Sequence, residues 1–175
     1  MTNNDGSVIE VKGGGTLTLT DSAPGTMHYY SVDPDTKLWT ILPDDTGAAG
    51  SIQGGIITGG STGQGGVPIR TGGSLTMNGG TIAGCRVNGQ GGGVYVYSGT
   101  FNMNGNASIT HNTAKNEKTS NDTNGGGVYV SNNGTFNMND GAISDNKATN
   151  SNERNTTYGG GVYVSGGTFT MNGGA

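Results

Sequence analysis

Charge is scarce in this sequence. Only 11% of its residues are Asp, Glu, Lys or Arg, so electrostatics cannot be the main organising force. The eight Lys and Arg residues are scattered, and the formal net charge is −4. With no basic stripe to neutralise phosphates, no nucleic-acid partner is expected. Apolar residues are also few, at 30%, and no run approaches the ~18 needed for a membrane-spanning helix. The one cysteine, Cys85, excludes an internal disulfide and a multi-Cys metal site. Met1 is followed by the polar run Thr2 to Ser7, which is not a signal peptide. Any export signal is therefore expected to lie outside this piece or to have been removed.

Glycine is what the chain has in excess, with 37 of 175 residues. It does not recur at every third position, which excludes a collagen helix. Disorder usually accompanies high net charge, and here that charge is small. A thin core with glycine at its turns remains, in a single domain over 1–175.

Self-similarity supplies the rest. Gly-Gly-Gly-Val-Tyr-Val occurs at 91–96, 125–130 and 159–164, at intervals of 34 residues. A second block follows each copy, at Thr100–Asn104, Thr135–Asn139 and Thr168–Asn172. A third follows twice, at Ala107–Asn112 and Gly141–Asn146. Weaker copies lie upstream. Ser74–Asn78 matches the second block and Gly80–Cys85 the third, while Val67–Ile69 stands for the first, slipped by one residue. Val8–Val11, Thr16–Thr20 and Gly54–Thr58 complete an earlier set.

A period near 34 also suits helical repeats, but the local pattern rejects them. Val94/Val96, Phe101/Met103, Phe136/Met138 and Phe169/Met171 alternate with Thr, Asn and Tyr at period 2, which is a strand signal. Glycine at this density is costly in helices. The expected fold is all-β: a right-handed parallel β-helix, a solenoid of about five coils with three short strands each. The polar stretches 113–124 and 147–158 read as loops. Asn78, Asn104, Asn139 and Asn172 are placed to stack at one corner, and Asn112 and Asn146 at another, with Cys85 in the same column. The last coil stops at Ala175 after its second strand, and further coils of the same polypeptide are expected to follow.

Residues 21–51 interrupt the first coil as a β-hairpin-like insertion, with His28–Val32 and Lys37–Leu42 flanking an Asp33-Pro-Asp-Thr36 turn. It holds Trp39, the only Trp, near Tyr29 and Tyr30. Either it covers the rod's side, or it forms an aromatic platform for a ligand. A second aromatic feature is the outward column Tyr95, Tyr129 and Tyr163, with Tyr97 offset. Such rings either protect strand edges or stack on sugars. Tyr95, Tyr129, Tyr163 and Trp39 are thus the candidate glycan-binding residues.

No catalytic, cofactor-binding or metal-binding set is expected. Asp33/Asp35, Asp44/Asp45, Asp140 and Asp145 read as turn acids, not as carboxylates paired across a scissile bond. His28 and His111 stand alone, outside any metal-ligand or triad pattern. Cys85 reads as a small ladder residue. No Gly-Gly-x-Gly-x-Asp series is present, so calcium-binding β-roll repeats are not expected.

The stretch Gly-Gly-Gly-Val-Tyr-Val-Ser-Gly-Gly-Thr-Phe-Thr-Met-Asn-Gly-Gly at 159–174 resembles repeats in large surface proteins of gut-dwelling Gram-positive bacteria. So does the aromatic insertion at 28–42 followed by Gly-Gly-Ile-Ile-Thr-Gly-Gly at 54–60. The spacing Phe101/Asn104, Phe136/Asn139 and Phe169/Asn172 is similar to chlamydial polymorphic outer-membrane protein repeats, as is Asp140-Gly-Ala-Ile143. The resemblance implies a secreted or cell-surface protein, adhesin-like, with host or microbial surface glycans or proteins as partners. The leading expectation is a structural or adhesive repeat segment that is not an enzyme. The alternative is a carbohydrate-binding or carbohydrate-active, pectate-lyase-like β-helix.

Overall fold

The computed structural model describes residues 6–61, 64–116, 122–151 and 155–175. The middles of the two polar stretches, 117–121 and 152–154, lie outside them. The described residues are all-β, without a helix, and most strands pair in parallel.

Each sequence block becomes one parallel sheet. The second block gives five strands in spatial order: Thr16–Leu19, Ser74–Met77, Thr100–Met103, Thr135–Met138 and Thr168–Met171. The first block gives Val67–Ile69, Val94–Tyr97, Val128–Ser131 and Val162–Ser165. The third gives Ile56–Ile57, Thr81–Ala83, Ser108–Thr110 and Ala142–Ser144. Pairing is in register, so Phe101 lies beside Phe136, and Phe136 beside Phe169. Val67 pairs with Val94, with Gly66 beneath Gly93, so the expected slip of one residue is absent. Pro68 lacks an N–H, yet it still occupies the register place of Tyr95.

Alternation sends Val, Phe, Met, Leu and Ile of all three sheets into one shared core. Phe101 and Phe136 are fully buried, and their rings stack 4.7 Å apart at 10°. Phe136 and Phe169 repeat this at 4.8 Å and 15°. Those separations match the ~4.8 Å spacing of hydrogen-bonded strands, so the rings ride on the backbone ladder.

Three strands per repeat proves too few. Arg86–Asn88, Thr113–Asn116 and Lys147–Asn150 form a fourth parallel sheet, and Thr123–Asn124 pairs with Thr157–Tyr158. The ends of the stretches read as loops are thus strands. Small residues explain why: Val87 and Ala114 are fully buried, giving this column an apolar face too slight to stand out by composition. The column lies hard against the glycine triplet. A Cβ at Gly92 would come within 2.8 Å of the Ala114 nitrogen, and one at Gly126 within 2.6 Å of the Lys147 nitrogen. The first glycine of each triplet, at 91, 125 and 159, also has φ between 58° and 67°, a region that suits glycine.

Asparagine ladders tie the corners. Asn104, Asn139 and Asn172 each donate a side-chain N–H to the amide oxygen of the Asn one repeat earlier, at 2.8–3.0 Å. The second ladder is buried. Asn112 accepts from the Cys85 N–H at 3.0 Å and donates to the Ile82 carbonyl at 2.9 Å. Asn146 accepts from Asn112 and donates to the Ile109 carbonyl at 2.8 Å.

The insertion is a three-stranded antiparallel sheet, one strand more than a hairpin. Met27–Val32 pairs with both Trp39–Leu42 and Gly50–Gln53. Its turn is closed by Asp33 Oδ1, which accepts from the Asp35 and Thr36 N–H groups.

The core and ladder make distinct predictions for urea denaturation. Phe136→Ala removes a buried ring and is expected to cost about 3–5 kcal/mol. Asn112→Ala strands the Cys85 N–H and the Ile82 carbonyl and should cost about 2–4 kcal/mol. Asn137→Ala, which loses one half-exposed bond to Asn102, should cost about 1 kcal/mol or less.

Candidate functional site

Three acidic side chains of the insertion, Asp21, Asp33 and Asp44, are held in turns. Asp21 accepts from the Ala23 and Gly55 N–H groups, joining the start of the insertion to its end. Hydrogen bonds from Thr36 hold the Asp33 carboxyl below its ordinary range, and those from Thr46 do the same for Asp44. Asp140 accepts from the Gly141 N–H. Among the described residues, no three His, Cys, Asp or Glu side chains gather where they would hold a metal ion. None of the described helices is long and apolar enough to cross a membrane, there being no helix.

The candidate aromatic residues fall in two separate places. Tyr95, Tyr129 and Tyr163 stack along the first-block sheet at 5.1 Å and 5.6 Å, within 11° of parallel. Tyr158 closes the end, stacked on Tyr163 at 5.2 Å. Tyr95 is 5% exposed and Tyr129 8%, so their faces are spent on one another. Burial pushes the Tyr129 phenol above its usual range, against hydrogen bonds with Ser165 and Ser131. Ser131 also donates to the Tyr95 hydroxyl at 3.1 Å.

Trp39 lies apart from this column and pins the insertion to the stacked sheets. Tyr30 stacks on it at 3.7 Å and 3°, covering one face. Gly84 also packs against the ring: a Cβ there would sit 2.5 Å from Trp39 Cγ. The Tyr30 hydroxyl end in turn lies over Gly50, where a Cβ would meet it at 2.6 Å. Between Tyr30 and Gly84, Trp39 is left half-buried. His111 approaches it at 5.6 Å, tilted by 52°.

Among the described residues, cavities lie beside the insertion at two places. One, of about 430 Å³, opens where Asp21 to Gly55 splits the second and third strands of the first repeat. Leu19, Ile56, Ile57 and Met77 give it an apolar floor, and Asp21 and His28 are among the groups lining it. The other, of about 440 Å³, is a polar groove between the insertion and the third-block sheet. Its wall includes Tyr30 and Gln53 from the insertion and Thr110, His111, Ser144 and Asp145 from the stack. Thr110 Oγ1 lies 3.0 Å from Ser144 Oγ and 2.8 Å from His111 Nδ1.

One corner column explains why these side chains are there. Gly59, Gly84, His111 and Asp145 precede Gly60, Cys85, Asn112 and Asn146, and all four have positive φ, from 53° to 96°. The corner keeps its left-handed backbone while glycine gives way to His111 and then Asp145. Asp and His are among the residues that tolerate this region. Sequence reading took Asp145 as a turn acid and His111 as a lone histidine, and placed neither in a groove. The signal was the replacement of Gly84 by polar residues in an otherwise fixed column. Gln53 gave no signal, because it belongs to the strand that was not foreseen.

Cys85 is fully enclosed, with Gly60 and Gly66 leaving space for its sulfur. Burial pushes its thiol up to about 11 from 9.0, against backbone hydrogen bonds from Gly60 and Gly59. It is a ladder residue, not an accessible nucleophile.

Compared with known proteins, the chain matches no family model, no curated protein and no solved structure.

Two measurements check this geometry. Gly84→Ala should red-shift the emission of Trp39, the sole tryptophan, by driving the ring off the stacked sheets. Gly59→Ala also replaces a glycine of positive φ, but one with nothing within 4 Å of its Cβ, and should leave the emission unchanged. For Cys85 the unfolded thiol ionises before the folded one. Its contribution to stability is intact below pH 9 and is lost as pH rises toward 11. Wild type should lose roughly 2–3 kcal/mol relative to Cys85→Ala across that window.

Proposed function

We propose that this chain is a structural and adhesive repeat segment of a secreted or cell-surface bacterial protein, wound as a right-handed parallel β-helix. Parallel strands joined in sequence cross over with a right-handed sense in nearly all known cases. The three block sheets share one core, as the walls of such a helix do. The observation that carries the functional reading is how the side chains divide. Apolar residues are spent on repeat-to-repeat stacking, and the outer faces hold regular rows of Thr, Ser and Asn, as at Thr100/Thr135 and Asn102/Asn137. Such a stack is stiff along its axis and polar outside, which suits a spacer that holds contact surfaces away from a cell. Its resemblance to bacterial surface repeats supports the same placement. Carbohydrate binding is the second reading, favoured by the polar groove beneath the insertion.

Beads coated with the folded chain are expected to adhere to at least one surface in a panel of glycans, mucins and matrix proteins. Adhesion should vanish after heat unfolding. Beads that adhere nowhere, or that adhere equally well when unfolded, would count against the adhesive role.

A further inference from the structure

We infer that the groove between the insertion and the third-block sheet is a binding site for neutral oligosaccharides. At about 440 Å³ it is of ligand size. Its chemistry is that of hydroxyl recognition. Each sugar hydroxyl both donates and accepts. Asp145 offers two acceptor oxygens, Gln53 an amide with both capacities, and Thr110 and Ser144 hydroxyls that serve either way. Gln53, His111, Ser144 and Asp145 are exposed, so their polar atoms are within a ligand's reach.

Charge selects among sugars. The groove's lining contains Asp145 and no Lys or Arg. A uronic acid would set its carboxylate near Asp145 with no cation in the lining to offset the repulsion. A neutral hexose meets no such cost. The placement of the polar groups also matches an extended ligand. Thr110 and His111 in one repeat are followed by Ser144 and Asp145 in the next, one strand spacing along the axis. Two successive steps of the stack thus offer a hydroxyl and a second polar group to a chain of sugars lying along them. These side chains appear in the corner column only where the groove lies, since the two preceding repeats carry Gly59 and Gly84 there.

The inference deepens the adhesive reading and rests on it only in treating the groove as a contact surface. A chain that adheres to proteins but binds no saccharide would sink the inference alone.

Titration calorimetry and ligand-observed NMR with cellohexaose, maltohexaose and mannohexaose test it, with hexagalacturonate as the acidic counterpart. At least one neutral hexasaccharide should bind the wild type, and more tightly than hexagalacturonate. Asp145→Ala and Gln53→Ala should each weaken that binding roughly tenfold or more. Thr170→Ala, exposed on the second-block sheet away from the groove, should leave it unchanged. Matching urea midpoints would show that the variants remain folded. The inference is overturned if no neutral hexasaccharide binds, if hexagalacturonate binds more tightly, or if both groove variants bind as wild type does.

Discussion

Parallel backbone hydrogen bonds between successive repeats hold Thr100 beside Thr135 and Thr135 beside Thr168, and that register decides where other side chains go. A strand slipped by one residue would turn Phe136 and Met138 outward and Asn137 inward, exchanging core for surface. In the observed register each phenylalanine meets its counterpart one strand spacing away, and each corner asparagine meets another. No single repeat has enough apolar surface to be stable by itself. Stability arises between neighbours, which is why a chain with so few apolar residues can build a core.

Glycine is the counterpart of that register. Stacking at the strand spacing brings backbone against backbone at the corners, and the fourth strand column closes on the Gly-Gly-Gly triplets until no Cβ fits at Gly92 or Gly126. Where the stack relaxes this demand, other residues enter. His111 and Asp145 do so in the column that begins with Gly59 and Gly84, and they become the wall of the groove. Gly84 meanwhile makes room for Trp39, so one corner position both anchors the insertion and, one and two repeats on, supplies the polar side chains of His111 and Asp145 beside it.

The block sheets were legible because the same alternating pattern recurs: Phe101, Phe136 and Phe169 announce one column by repetition alone. The corner asparagines and Cys85 were legible for the same reason. The fourth column was not, because each of its strands carries a single apolar residue, Val87, Ala114 or Ala148, and so shows no alternation. Gly50–Gln53 carries little strand character and becomes a strand only by pairing with Met27–Val32. The fate of the aromatic faces was hidden more deeply. Nothing local to Trp39 announces Gly84 as its partner, and Tyr95 and Tyr129 look outward by alternation yet are covered by their neighbours in the stack. The groove depends on those long-range contacts, so it was not visible until the insertion had been placed.

Thr16 and Thr168 occupy the same register position at opposite edges of the five-stranded sheet. Spin labels at these two sites, in a Cys85→Ala background, test the stacking most directly by pulsed dipolar spectroscopy. Four steps of strand spacing put the two backbones about 19 Å apart, and a narrow distribution near that value is expected. A mean beyond about 30 Å, or a broad distribution without a dominant peak, would contradict the in-register ladder.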